Sequence, residues 1–178
     1  MDKYVEGIVM DFQMDRFLLI DKGGRSTAHG PKLKWQGIGG KIENKFIPDY
    51  KDRLSEHGST IPESPHEAIT REFQEETNYE IKEKRWHCYY IKTYKNLKLY
   101  HFAVFMSPDE LNKICETAFK KPGKEGPIGI HTLVDCYWDP QQYTFDIPYL
   151  IQIIIREMKA GMFMQLDPES INSRDKTP

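Results

Sequence analysis

The stretch Ser64-Pro-His-Glu-Ala-Ile-Thr-Arg-Glu-Phe-Gln-Glu-Glu-Thr77 constrains this chain more than any other, because it specifies a helix and loads one edge with carboxylates. Ser64 is a natural N-cap and Pro65 suits the first helical position. Glu67 completes a Ser-x-x-Glu capping box, in which each side chain satisfies a backbone N–H left free at the helix start. Ala68, Ile69 and Phe73 supply an apolar stripe, and Asn78 tolerates the left-handed conformation that ends helices. Glu72, Glu75 and Glu76 are spaced i, i+3, i+4 and share an arc of about 100°. With Ile69 as zero, Glu76 lies about 20° to one side and Phe73 about 40° to the other. The acidic edge therefore abuts the apolar stripe. Carboxylates held there repel one another and resist desolvation. A hard divalent cation with oxygen ligands relieves both effects. Mg²⁺ keeps several waters and binds substrate phosphates, which ties such a cluster to phosphoryl or pyrophosphate chemistry. The competing reading of the spacing alone is a solvated acidic face, with Glu67 and Arg71 as an ordinary i, i+4 ion pair.

The rest of the chain is sized for one such domain. It has 178 residues, and 25 Lys+Arg against 27 Asp+Glu leave a formal charge of −2, which does not suggest a protein that coats DNA. The 39% hydrophobic content argues against disorder. No apolar stretch approaches the roughly 18–20 residues of a membrane helix, so no membrane partner is expected. The N-terminus lacks the charged-then-apolar plan of a signal peptide. Cys88, Cys115 and Cys136 are odd in number and contain no Cys-x-x-Cys pair. A disulfide scaffold or four-cysteine zinc site is not expected; buried, inert thiols in a reducing cytoplasmic compartment are.

Residues 4–12 and 16–21 read as a strand hairpin, followed by a Gly-rich loop, Lys22–Pro31, that carries Lys22 and Arg25 and lacks P-loop order. Residues 44–62 sustain no amphipathic period and read as an exposed excursion, with one helical turn around Asp49–Leu54. Strands are expected at 85–94 and 97–106. Ser107-Pro-Asp-Glu110 repeats the capping-box logic and opens a shorter helix. Ile130–Trp138 reads as a strand. Ile147–Lys159 reads as a last helix that buries Leu150, Ile151, Ile154, Ile155 and Met158, and the tail from Asp167 is polar.

Taken together, the sequence resembles the Nudix hydrolase family, whose box runs G-x5-E-x7-R-E-U-x-E-E-x-G-U, with U a bulky apolar residue. Gly39-Gly40-Lys-Ile-Glu43 matches the opening, Glu63 the isolated Glu, Arg71-Glu72 the Arg-Glu pair, Phe73 the first U, Glu75-Glu76 the paired Glu, and Tyr79 the final U. Two departures stand out. Residues 41–62 separate Gly40 from Glu63, so 22 − 5 gives 17 extra residues, all within the 44–62 excursion. Asn78 replaces the box Gly, and Asn is the other residue that enters the left-handed region readily.

The resemblance implies an α/β fold, a Nudix-like α/β/α sandwich with a mixed β-sheet, spanning a single domain over 1–166 with the insertion at 44–62 and a tail at 167–178. It implies Mg²⁺, with Mn²⁺ as the alternative, held by Glu72, Glu75, Glu76 and the backbone carbonyl of Gly39. Glu72 is a further ligand through water or a base, and Glu75 acts beside it. Glu63 pairs with Arg71 and holds the helix to its loop. The implied reaction is attack of metal-activated water on the diphosphate linkage of a nucleoside diphosphate derivative: a nucleotide sugar, ADP-ribose, a dinucleoside polyphosphate or an NTP.

Substrate is encoded more sparsely. Residues 82–98 carry six cations, Lys82, Lys84, Arg85, Lys92, Lys95 and Lys98, against Glu83 alone, a local 6 − 1 = +5, interleaved with aromatics. Bases stack on aromatics and phosphates seek cations, so nucleotide or RNA contact is one reading and a solvated sheet face the other. Arg25, Trp35, Tyr94 and Glu125 are the candidate substrate residues. Tyr94 stands near the position where the family's Tyr accompanies dinucleoside polyphosphates; Asp109, Glu110, Glu116 and Glu125 are the candidates for a late acidic residue, with Glu125, in a Gly/Pro-rich loop, preferred. Two alternatives remain at this level: a non-catalytic nucleotide-sensing module, and an RNA-cap pyrophosphohydrolase, which would require the basic strand pair to face the cleft.

Overall fold

The computed structural model describes residues 1–22, 35–48, 58–121, 123, 126–144 and 146–161. Alternation along β1 (Asp2–Asp11) sets its layers. Val5 and Val9 are buried on one face of the sheet, Ile8 and Met10 on the other. β2 (Arg16–Asp21) does the same with Leu18 and Ile20 against Phe17 and Leu19. Seven of the described strands form one mixed sheet. Its path is β3 (Trp35–Gln36), β2, β1, β8 (Leu97–Met106) and β7 (His87–Tyr94). β4 (Ile38–Lys41) pairs with the first half of β1, and β9 (Ile128–Thr132) with β2. β1 and β8 run parallel over their full lengths; the other pairs are antiparallel.

Helices cover both faces. α1 (Pro65–Thr77) and α2 (Pro108–Lys120) bury Ala68, Ile69, Phe73, Leu111 and Ile114 against Val5, Val9 and Phe102. Gly7 lets α1 approach the sheet: a Cβ there would lie 2.8 Å from Ile69 Cδ1 and 2.9 Å from the Trp86 ring. On the other face, α3 (Leu133–Trp138) and α4 (Ile147–Lys159) bury Cys136, Ile147, Ile151 and Ile154 against Ile8, Met10, Phe17 and Leu19. The architecture is the expected α/β/α sandwich with a mixed sheet. Among the described residues, no helix is long and apolar enough to cross a membrane.

α1 is built as its sequence dictates. The Ser64–Glu67 capping box is formed in both directions, at 3.1 and 2.7 Å, and Asn78 closes the helix at φ 53°. α2 keeps only half of the expected box. Ser107 accepts the Glu110 N–H at 3.1 Å, but the Glu110 carboxylate binds Arg85 at 2.7 and 3.2 Å instead.

A second expectation is corrected as well. Ile130–Trp138 is not one strand: it changes to α3 at Leu133, because Thr132 and Asp135 form a capping box that starts a helix within a β-prone run. Within the 44–62 excursion, β5 (Asn44–Pro48) and β6 (Gly58–Pro62) pair as a separate two-stranded sheet, with residues 44–46 and 59–62 exposed. The turn expected at Asp49–Leu54 and the tail from Asp167 lie outside the described residues. The thiols are free, with Cys136 buried and Cys88 and Cys115 half-buried. Burial raises all three, Cys115 to about 11 and Cys136 to about 12, as expected of inert cysteines.

Candidate active site

Three segments meet at the acidic edge of α1: the β4 glycines, the end of β6, and α1 itself. The antiparallel β5–β6 pairing brings the chain back from Asn44 to Pro62. A hairpin returns to where it started, so Glu43 and Glu63 face each other across its base. The Glu63 N–H donates to the Glu43 carbonyl at 2.9 Å, and the Glu43 N–H donates to Glu63 Oε1 at 2.9 Å. Glu63 is thereby held against Arg71, whose Nε and Nη2 donate to its two oxygens at 3.2 and 2.7 Å. This bidentate geometry is the strong form of the contact. The same guanidinium donates to the Lys41 carbonyl at 3.0 Å and to Glu72 Oε1 at 2.7 Å, and its Nη1 lies 3.7 Å from Glu75 Oε1.

The carboxylates do not share one environment. Glu72 and Glu76 are buried, at 7% and 1% exposure, while Glu75 is half-exposed. Glu72 lies against the β4 backbone: a Cβ on Gly40 would sit 2.3 Å from its Oε1 and 2.5 Å from its Cδ. Gly39 is required for a different reason, since a Cβ there would meet the Val5 carbonyl at 2.1 Å and break the β1–β4 pairing. Burial pushes the Glu72 carboxyl above its ordinary value, and the hydrogen bond and charge of Arg71 only partly oppose this. Glu63 goes the other way. Burial raises it, but the Arg71 hydrogen bond, the Glu43 N–H and the Arg71 charge together bring it below the ordinary value. Glu63 is thus a saturated structural acid, and Glu72 a desolvated one with spare acceptor capacity.

A cavity of about 520 Å³ opens beside Gly39 and Gly40. Its floor is the β1–β8 part of the sheet, with Tyr4, Leu97 and Leu99, and its walls include Lys22, Gln36, Glu6 and Asp146. Lys22 donates from Nζ to the Gly39 carbonyl at 2.8 Å, which sets an ammonium between the cavity and the carboxylate edge. In the sequence Lys22 stands out only as part of a Gly-rich loop. Glu6 and Asp146 carry no sequence signal, because they come from distant elements with no motif between them.

The expected substrate residues have different positions relative to this cavity where they are described. Arg25 and Glu125 lie outside the described residues. The Trp35 ring packs on His131, with centroids 4.2 Å apart, although its neighbour Gln36 reaches the cavity. Tyr94 is 53% exposed and carries Lys92 over its ring at 5.0 Å. Strand register places Tyr94 and Lys92 beside Leu97 and Leu99, on the cavity face. Lys98, one residue away along β8, points to the opposite face, and Arg85 is engaged by Glu110. The cations of this stretch are therefore divided, with Lys92 on the cavity face, Lys98 on the other and Arg85 in an ion pair. Among the described residues, no group of three or more His, Cys, Asp or Glu side chains is already gathered as a metal site.

No protein-family model matches the sequence, and no curated protein does. Solved structures do match the shape. A mutT/nudix family protein from Listeria innocua superposes with a TM-score of 0.55 at 14% identity, over 92% of this chain and 97% of that one. The MutT protein of Methanosarcina mazei Go1 gives 0.54 at 16% identity, over 89% and 95%. The chain has the Nudix fold. A third structure with this fold, the NUDIX domain of Shewanella oneidensis NrtR complexed with ADP ribose, gives 0.52 at 14% identity, over 88% and 87%. In the Nudix fold of this chain, the box residues quoted from the sequence, Gly40, Glu63, Arg71 and Glu72, converge on the strand–helix junction described above.

Proposed function

We propose that this chain is a hydrolase that cleaves the diphosphate linkage of a nucleoside diphosphate derivative, using Mg²⁺ or Mn²⁺. The observation that carries the reading is the buried Glu72 carboxylate pressed against the Gly40 backbone, at the edge of a cavity of nucleoside size. The donor set suits a hard cation: Glu72, Glu75 and Glu76 with the Gly39 carbonyl are all oxygen donors. Mg²⁺ uses one or two carboxylates plus water and substrate phosphate instead of a closed protein cage, so an open, ungathered set fits it. When bound there, such a cation neutralises charge on the phosphates and makes a nearby water more acidic.

The protein's own residues supply the rest. Arg71, fixed by Glu63, orients the Glu72 carboxylate. Glu72, whose carboxyl burial holds high, accepts the proton of the attacking water. Glu75 stands at the outer side of the same guanidinium. Lys22 offers its ammonium to the phosphate oxygens at the cavity mouth. The Shewanella domain of the same fold holds ADP ribose, which supports a nucleotide-type ligand for this cavity. The catalytic unit is one domain over residues 1–166, with the box insertion at 44–62.

The test is incubation with Mg²⁺ and a panel of ADP-ribose, nucleotide sugars, NTPs, dinucleoside polyphosphates and capped RNA, read by ³¹P NMR. Cleavage of a diphosphate bond that EDTA abolishes is expected. Binding without cleavage of any member would replace the hydrolase with a nucleotide sensor.

A further inference from the structure

The cavity carries a chemistry that the carboxylate helix does not explain. Two acids, Glu6 from β1 and Asp146 before α4, stand in its wall above a floor of Tyr4, Leu97 and Leu99. Both are mostly withdrawn from water. The Glu6 side chain is 14% exposed, and Asp146 is held above the ordinary aspartate range by burial first and by the negative charge of Glu6 second. Glu6 is also locked in place. Its Oε1 accepts the Gly37 N–H at 3.2 Å, and its Oε2 lies 3.1 Å from Nδ1 of His101, a residue 1% exposed and stacked on Tyr90. Gly37 makes room for this, since a Cβ there would lie 2.5 Å from Glu6 Cγ. Cations also stand near: Lys22 and Lys41 line the same cavity, and the Lys92 ammonium favours the Asp146 carboxylate.

A carboxylate offers acceptors only, and each oxygen of Glu6 retains a second lone pair. Two such groups lining one cavity floored by Tyr4, Leu97 and Leu99 complement a ring that presents adjacent N–H donors. They disfavour a ring that sets a bare nitrogen lone pair there. We infer that Glu6 and Asp146 make this cavity selective for a 2-amino-6-oxopurine ring, the guanine type, over a 6-aminopurine. The inference rests on the hydrolase reading for its location only, because a diphosphate at Glu72 places the attached nucleoside in this cavity. The guanine edge carries N1–H and the 2-amino group side by side and pairs with a carboxylate as a two-pronged donor. The adenine edge places the unprotonated N1 beside its amino group, so one contact becomes a lone-pair repulsion.

Binding separates this inference from the hydrolase reading, because nucleoside monophosphates have no diphosphate bond to cleave. GMP, IMP and AMP are titrated calorimetrically into the full chain with Mg²⁺, and into Glu6→Gln, Asp146→Asn and Glu72→Gln variants whose folding is checked by thermal melts. GMP is expected to bind roughly ten- to a hundredfold more tightly than AMP, the range for one or two hydrogen bonds to a charged group, with IMP between them. Asp146→Asn and Glu6→Gln each replace an acceptor with a donor-bearing amide and should cut the GMP/AMP ratio at least about fivefold. Glu72→Gln should leave that ratio unchanged. Equal affinity for GMP and AMP, a ratio untouched in both cavity variants, or no saturable binding of any of the three overturns the inference. Diphosphate cleavage without base preference would leave the hydrolase reading standing, and base preference without cleavage would do the reverse.

Discussion

Deleting residues 45–61 should leave a folded protein. The deletion removes the 17 residues counted as surplus (61 − 45 + 1) and joins Asn44 to Pro62, which already face each other across the base of the β5–β6 hairpin. Five residues then separate Gly40 from Glu63. The deletion takes from α1 the ion pair of Lys45 with Glu67, whose side chains are 43% and 37% exposed, and exposed pairs contribute about 0.2–1 kcal/mol. Shortening the connection from 22 to 5 residues recovers about 1 kcal/mol of closure entropy on the (3/2)RT ln n scale. The two effects nearly cancel. The capping box of Ser64 and Glu67 and the Arg71–Glu63 clamp do not involve the deleted residues. Urea unfolding at pH 7 should therefore place the shortened chain within about 1 kcal/mol of the parent, while substrate preference changes. A loss above about 3 kcal/mol, or a chain that no longer folds, would show that the hairpin is an integral layer of the domain.

Other substitutions separate the roles of neighbouring residues. Gly39→Ala and Gly40→Ala should differ sharply. The first drives a Cβ onto the Val5 backbone carbonyl and should cost stability in urea unfolding. The second meets the Glu72 carboxylate, a side-chain end instead of a strand backbone, and should cost the fold less while weakening Mn²⁺ binding measured by electron paramagnetic resonance. Equal melting losses for the two would refute the assignment of Gly40 to the carboxylate. Glu72→Gln should help the fold more at pH 7 than at pH 4. The folded-state pKa of Glu72 is raised above 4.5, so its contribution is intact below that pH and is lost as pH rises through the raised value. A stability difference between wild type and Glu72→Gln that stays constant from pH 4 to pH 7 would contradict the burial argument.

How much of the structure is legible in the chain follows from how local each determinant is. Ser64, Glu67 and Asn78 fix the ends of α1 through contacts within a few residues, so that helix can be read with its caps. Arg71 and Glu63 are eight positions apart, and a known box links them where spacing alone does not. Thr132 and Asp135 are equally local, yet Leu-Val-Asp-Cys-Tyr-Trp has strand-like composition, and the cap overrides propensity. Glu110 shows the reverse: its local cap gives way to Arg85, a partner 25 residues away. Glu6 and Asp146 are invisible in the sequence for the same physical reason. Their proximity is produced by the packing of α4 over the parallel β1–β8 pair, and no short pattern records it.

The acidic edge of α1 is proposed to perform phosphorus chemistry. The most direct test is the rate of diphosphate cleavage by Glu76→Gln against wild type, on the best substrate of the panel, at saturating Mg²⁺. Glu76 is 1% exposed on the helix edge, so an isosteric amide keeps the packing and removes the charge. A fall of about a hundredfold or more is expected, roughly 2.7 kcal/mol of transition-state stabilisation, in a variant whose native fold is checked by circular dichroism. Undiminished turnover in the variant would contradict the account.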